Sequence, residues 1–391
     1  MTVIREWCRV QQTATLAKHP GLRTLLTRAE DLRAPVVGLV CFVVLLVVQL
    51  TTSHGDAGMF AEAGDRLVRG HADVFRNSVL QVGPLYLLLV GPGALLSDAV
   101  GVPQWAGAAV MTSAASAVLL VAALSALAGT SPRGGRQVLA GLTVLLGGAM
   151  VIPATYGHPE EVMTALLLVL ATATARRGGT WAPALLLAAA ITIKLWAVVG
   201  LGLLLVAAGR RLAVQRGAVL AMAIGAAYLP FAVLDRIATF DMQWQVERPA
   251  PLSLLLADGS TFGYRQRLLQ VVVAGAVGAL LARKVRVADV VWALPLGVMS
   301  LRLLLDPLSN PYYWTTLVVV VLLRLLMREG PLLESVLLAY LGNIAMLLVI
   351  VTAQGWLGAA ALAGLGLGAL VLALRAATPL RVPPQVPADT S

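Results

Sequence analysis

Three places in this chain hold ionisable side chains where an apolar sequence has little reason to keep them. Asp56 follows the first long apolar run, in Gly55-Asp56-Ala57-Gly58-Met59-Phe60. Lys194 sits between two apolar runs, each too short for a comfortable membrane span, in Ile193-Lys194-Leu195-Trp196. Tyr156-Gly157-His158-Pro159-Glu160-Glu161 sets two adjacent carboxylates beside a histidine. An ionisable group at membrane depth is costly unless it is paired or faces water. Lys194 therefore either snorkels to the interface or receives the phosphate of a lipid carrier. Glu160 and Glu161 open a helix, where acids favour the helix dipole; beside His158 they could instead bind sugar hydroxyls. A His/Glu metal site is conceivable, but HxEE is a poor ligand spacing, so no metal and no other cofactor is expected. Asp56 fits a helix N-cap or a group that does chemistry at the membrane face.

Two later segments add candidates. Trp244, Glu247 and Arg248 lie in Asp241-Met242-Gln243-Trp244-Gln245-Val246-Glu247-Arg248-Pro249. That mixture suits sugar stacking and hydrogen bonding, although Trp244 alone reads as an interfacial anchor. Arg302 and Asp306 are four apart and share a helix face, so they read as a structural pair. Asn310-Pro311-Tyr312-Tyr313-Trp314 follows, an aromatic belt from which Tyr312, like Arg302, could also reach a substrate. His19 and His71 read as ordinary surface residues.

The elements that position these groups must be membrane helices. The chain of 391 residues is 59% hydrophobic and only 12% charged. Its long continuous apolar runs have no period-2 alternation, which excludes a β-barrel and leaves an all-α polytopic membrane protein. The net charge of +10 is spread over short loops, as the positive-inside rule requires, so no nucleic-acid partner is expected. The two cysteines, Cys8 and Cys41, form no disulfide framework. Residues 1–34 read as a basic cytoplasmic segment leading into an uncleaved signal anchor, with 21–33 as a short amphipathic helix on the inner surface. Residues 35–375 form the membrane domain, and 376–391 a Pro-rich disordered cytoplasmic tail.

Charge parity orders the crossings. The first runs over 35–50 from inside to outside, and 51–104 forms a first outer loop. The next clear span, 105–128, returns towards Arg133 and Arg136. Residues 82–97, broken at Gly91-Pro92-Gly93, then cannot cross and must lie in the outer interface or re-enter. Continuing the count predicts about 12 crossings with both termini inside. Basic residues alone set this topology, yet it collects most of the carboxylates on the outer face.

In the first outer loop, Met59/Phe60, Ala63 and Leu67 recur at helical spacing, and Gly70 ends the run. Asp56 followed by Phe60, Ala63-Gly64, Leu67 and Gly70 resembles bacterial GT-C-type glycosyltransferases, above all those that take mannose from polyprenyl-phosphate-mannose. Gly83-Pro84-Leu85-Tyr86 stands where that family opens a second interfacial helix with a Tyr-Pro-Pro-like sequence. Ile193-Lys194-Leu195-Trp196 stands where it joins a helix pair through a Lys, often Lys-Pro. At Tyr156–Glu161 the chain departs from the family's Gly-Gln-x-Asn. The resemblance, over roughly residues 35–330, implies a GT-C-like fold of membrane helices with interfacial helices in the first outer loop. It implies a polyprenyl-phosphate sugar donor, a glycan or glycolipid acceptor and the lipid bilayer as partners, with Asp56 as general base in an inverting transfer. The alternative is a transporter or lipid-carrier flippase with as many helices, and after it an assembly protein. Cysteines introduced at Ser78 and Thr239 are expected to react with impermeant reagents from outside, and one at Gly135 is not. Labelling of Gly135 from outside would reverse the charge-parity argument.

Overall fold

The structure is a computed structural model that describes residues 2–52, 55–128, 134–234, 237–285, 289–327 and 331–377. The tail 379–391 and the charge markers Arg133, Arg286 and Arg328 lie outside the described residues. The rest is almost wholly helical. In chain order come α1 (Thr2–Lys18), α2 (Pro20–Thr51), α3 (Gly55–Val68), α4 (Pro84–Ala99), α5 (Gln104–Ala128), α6 (Gly134–Leu146), α7 (Val151–Thr155), α8 (Pro159–Arg176) and α9 (Ala182–Ile193). A 3₁₀ segment, Leu195–Leu205, leads to α10 (Arg210–Leu234). A short antiparallel ribbon pairs β1 (Trp244–Gln245) with β2 (Thr261–Phe262). The chain closes with α11 (Tyr264–Lys284), α12 (Val290–Leu304), α13 (Pro311–Met327), α14 (Leu332–Thr352) and α15 (Gly355–Arg375).

Among the described residues, six helices are long and apolar enough to cross a membrane, and several shorter apolar helices accompany them. Many of their side chains, such as Val233, Leu268 and Leu357, are exposed. Exposed apolar bands of this kind belong against lipid, because water would penalise them. The chain is an all-α membrane protein. Residues 21–33 form no separate helix; they are the first turns of α2, which Pro20 opens at a position where its missing N–H costs nothing.

The first helices fix which end of the bundle carries the site. Gln49, near the end of α2, hydrogen-bonds Thr112 and Ser113 near the start of α5. Gly38, near the start of the apolar run, packs on Val121 towards the end of α5. The two helices are therefore antiparallel, and α3 and α4 lie together where α2 gives way to α5. α3 turns by 103° from the preceding apolar helix. Gly70, with φ at 91°, ends that turn of chain.

α4 corrects one expectation. The Gly91-Pro92-Gly93 sequence does not break it: the helix continues from Pro84 to Ala99 with Pro92 inside. These glycines serve close packing instead. A Cβ on Gly91 would collide with the Gly64 carbonyl of α3, and one on Gly93 with the Gly107 carbonyl of α5. Gly83 works the same way just ahead of α4. Its N–H donates to the Ile193 carbonyl at 2.9 Å, and a Cβ there would overlap the Thr192 carbonyl. The start of α4 is thereby pinned to the end of α9, directly beside Lys194.

The opposite end of the bundle has its own clamp. The buried Arg216 guanidinium donates to the carbonyls of Ala175, Gly179, Leu204 and Val206. It ties α8, the 3₁₀ segment and α10 together by satisfying carbonyls that helix ends leave without partners. Thr239 is buried, its hydroxyl donating to the Leu80 carbonyl, so the exposed Asn77 replaces it as a labelling position. Gly83→Ala is expected to destabilise the protein by about 1–3 kcal/mol, read as a lower melting temperature. A variant as stable as wild type would show that α4 is not pinned through this contact.

Candidate functional site

Six helix ends converge at the α3 end of the bundle: the starts of α3, α8, α11 and α13 and the ends of α9 and α12. Their ionisable groups form one continuous chain of alternating charge. Asp56, in the first turn of α3, places Oδ2 2.8 Å from His158 Nε2. His158 Nδ1 lies 2.7 Å from Glu160 Oε1 in the first turn of α8. Lys194 Nζ donates to the same Glu160 oxygen at 2.8 Å and lies 3.5 Å from Glu161 Oε1. Glu161 Oε2 accepts from Trp196 Nε1 at 2.8 Å and from Arg302 at 3.4 Å. Arg302 Nε is 3.7 Å from Asp306, which Arg267 holds at 3.1 Å. The Arg267 guanidinium then covers the Trp244 ring at 4.4 Å.

Burial explains the alternation. Glu160 and Glu161 are wholly buried, and Lys194, Arg302 and Asp306 nearly so. Each such charge is costly unless an opposite charge and hydrogen bonds offset it. Here acids and cations alternate one for one along the chain. Aromatic faces supplement the pairing: Arg302 stacks over Trp196 at 4.4 Å and Tyr313 at 4.7 Å. The compensation is incomplete, since Glu160 Oε2 and Arg302 Nε lack hydrogen-bond partners.

Several sequence expectations change here. Lys194 is 7% exposed and paired with two carboxylates, so it does not snorkel. Asp56 is the second residue of α3 rather than its N-cap, and its carboxylate binds a side chain from α8. Glu160 and Glu161 do open a helix, but they are committed to Lys194, Trp196 and Arg302. The Arg302–Asp306 pair forms and is shared with Arg267 and Glu161. Tyr312 joins the site by stacking on His158, with centroids 4.1 Å apart and planes 14° from parallel. Trp244 joins through Arg267. Glu247 and Arg248 do not: Glu247 is exposed, and Arg248 reaches Asp258 at 3.6 Å and the Trp356 ring at 4.1 Å. Among the described residues no group of three or more His, Cys, Asp or Glu is arranged to hold a metal ion.

Beside this chain opens a cavity of about 490 Å³. Leu195, Val198, Leu268 and Val271 form its apolar wall, and Lys194, Arg265, Arg267 and Arg302 its cationic part. Arg265, Arg267, Trp196 and Gln270 were not candidates from sequence. One signal for the arginines was present: they open α11 at the end of the bundle that charge parity assigns to the outside, where basic residues are disfavoured. No protein family, curated protein or solved structure matches the chain.

At the water-facing end of the site, the hydrogen bond from His158 holds the Asp56 carboxyl below its usual range. Burial disfavours a charged His158 ring, but the Glu160 charge and the hydrogen bonds to Asp56 and Glu160 outweigh it and push it up to about 9. The stabilisation from protonated His158 is thus complete below its ordinary value near 6.5 and is lost as pH rises through about 9. Wild-type melting temperature is expected to fall across that alkaline range, and that of His158→Gln to stay flatter. Lys194→Met leaves Glu160 and Glu161 short of a cation and is expected to cost about 3–5 kcal/mol. Pairing it with Glu160→Gln should recover part of the loss; additive losses would show that the two groups are not coupled.

Proposed function

We propose that the chain is a GT-C-like integral membrane glycosyltransferase, moving a sugar from a polyprenyl-phosphate donor to a glycan or glycolipid acceptor. The observation that carries this reading is one cavity with an apolar wall and a cationic mouth beside a buried charge chain that ends on a water-exposed carboxylate. An isoprenoid chain needs the apolar wall formed by the 3₁₀ segment and α11. Its phosphate needs positive charge at the mouth. Arg265, exposed and without a carboxylate partner among the described residues, supplies it. Lys194 lines the same mouth, but Glu160 and Glu161 already meet its charge. A phosphodiester carries a single negative charge, which suits a mouth with so little positive charge to spare.

In this reading about 12 crossings put both termini in the cytoplasm. The site faces the outer side of the plasma membrane. The acceptor approaches from the water-exposed side of Asp56, at the end of the charge chain. The acceptor hydroxyl oxygen attacks the anomeric carbon while its proton passes to Asp56. The bond from the anomeric carbon to the phosphate oxygen breaks, and its electron pair leaves as the lipid phosphate monoester. Cations near the leaving oxygens stabilise that developing charge. A direct displacement inverts the anomeric centre. Tyr313, which lines the cavity, offers an aromatic ring to the sugar.

Asp56→Asn keeps the size of the side chain and can still accept a hydrogen bond from His158, but it removes the base. Transfer from a synthetic short-chain polyprenyl-phosphate sugar is expected to fall by about 10²–10⁴ with little change in donor binding. Full transfer by the Asn variant would refute the mechanism. Movement of the lipid-linked sugar across liposomes by a wild type that transfers nothing would favour a flippase.

A further inference from the structure

Asp56 is half exposed, with 53% of its side chain open to water, and Oδ2 is its bonded oxygen. What fixes that carboxylate is a single buried ring. His158 is held from four directions by groups of three helices: Asp56 on Nε2, Glu160 on Nδ1, the Tyr312 face at 4.1 Å and the Phe60 edge at 5.7 Å. Gly157, with φ at 77°, brings the preceding turn against the start of α3, where a Cβ would lie 3.0 Å from the Ala57 nitrogen. A neutral imidazole has one N–H and can donate to only one of two carboxylates; a ring that bonds both must carry both protons.

We propose that His158, as an imidazolium oriented by Glu160, is the positioning residue that holds Asp56 by one oxygen and leaves its other oxygen for the acceptor proton. The inference rests on the reading of Asp56 as general base. His158 does not itself take the proton, because both its nitrogens are already protonated. Instead it keeps Asp56 ionised before the attack. It also helps the carboxyl lose its captured proton to water afterwards. The charged and titratable groups around the ring are Asp56 from α3, Glu160 from α8, Tyr312 from α13 and, through Glu160, Lys194. Tyr156 packs on Tyr312 at 5.7 Å, and Tyr86 on Phe60 at 5.7 Å.

A pH profile separates positioning from mere support. Loss of one ring proton forces His158 to release Asp56 or Glu160, so wild-type kcat is expected to fall as pH rises through about 9. His158→Gln, which cannot carry that charge, is expected to lower kcat by about 10²-fold, to leave KM for the donor nearly unchanged, and to lack the alkaline limb. The assay uses farnesyl-phosphate-mannose with an octyl glycoside acceptor in nanodiscs. Because the chain has four histidines, ¹⁵N-histidine NMR of the folded wild type can follow this ring without any variant, and its titration should coincide with the limb. A His158→Gln enzyme with wild-type kcat and pH profile overturns the proposal, as does a limb that does not track the ring. Failure of the base reading is distinguishable: there Asp56→Asn transfers fully, or no wild-type transfer occurs at any pH, and the positioning role falls with it.

Discussion

The pairing of Lys194 with Glu160 and Glu161 governs how this bundle is put together. Three ionisable side chains buried in an apolar bundle are tolerable only together. That requirement brings the end of α9 against the start of α8. It extends outward from there. Glu161 needs Arg302, Arg302 shares Asp306, and Asp306 takes Arg267, so α11 and α12 are drawn to the same place. In the other direction Glu160 needs His158, and His158 reaches Asp56 on α3. Helices far apart in sequence thus converge by electrostatic necessity, while shape complementarity between apolar faces fills the space between them.

Close backbone packing complements this. The Gly64–Gly91 and Gly93–Gly107 contacts let α3, α4 and α5 approach more closely than side chains allow. The Gly83 contact fixes α4 against α9. At the far end, Arg216 does with one guanidinium what capping residues do elsewhere. The consequence is a division of labour: the Arg216 end is closed by hydrogen bonds to carbonyls, and the other end is held by charge and opens into cavities.

Much of this was legible in the residues. Long apolar runs announced the membrane helices. Asp56, His158, the glutamates, Lys194 and Arg302 stood out because charge in an apolar sequence needs a reason. What they would bind did not follow, because pairing depends on which helix ends meet, and sequence order does not contain that. Lys194 therefore read as snorkelling or phosphate-binding when it is first a partner of two acids. Arg267 passed unnoticed because, before its neighbours are known, it is one arginine among many. The Gly-Pro-Gly run misled for a different reason: local propensity signals a break, and close tertiary packing overrode it. Glu247 and Arg248 misled because composition marks a loop as polar without saying which way its side chains point.

The brevity of α9 has a consequence for the membrane itself. Its 12 residues rise about 18 Å, against roughly 30 Å of hydrocarbon. The 3₁₀ segment that follows has 11 residues and adds about 22 Å on its way back. Lys194, at their junction, therefore stands about 18 Å from the start of α9, and the protein itself meets its charge there through Glu160 and Glu161. Hydrophobic mismatch of this kind costs fractions of a kcal/mol per ångström. Bilayer thickness is thereby expected to bear on the site, as a dependence of its stability on lipid chain length.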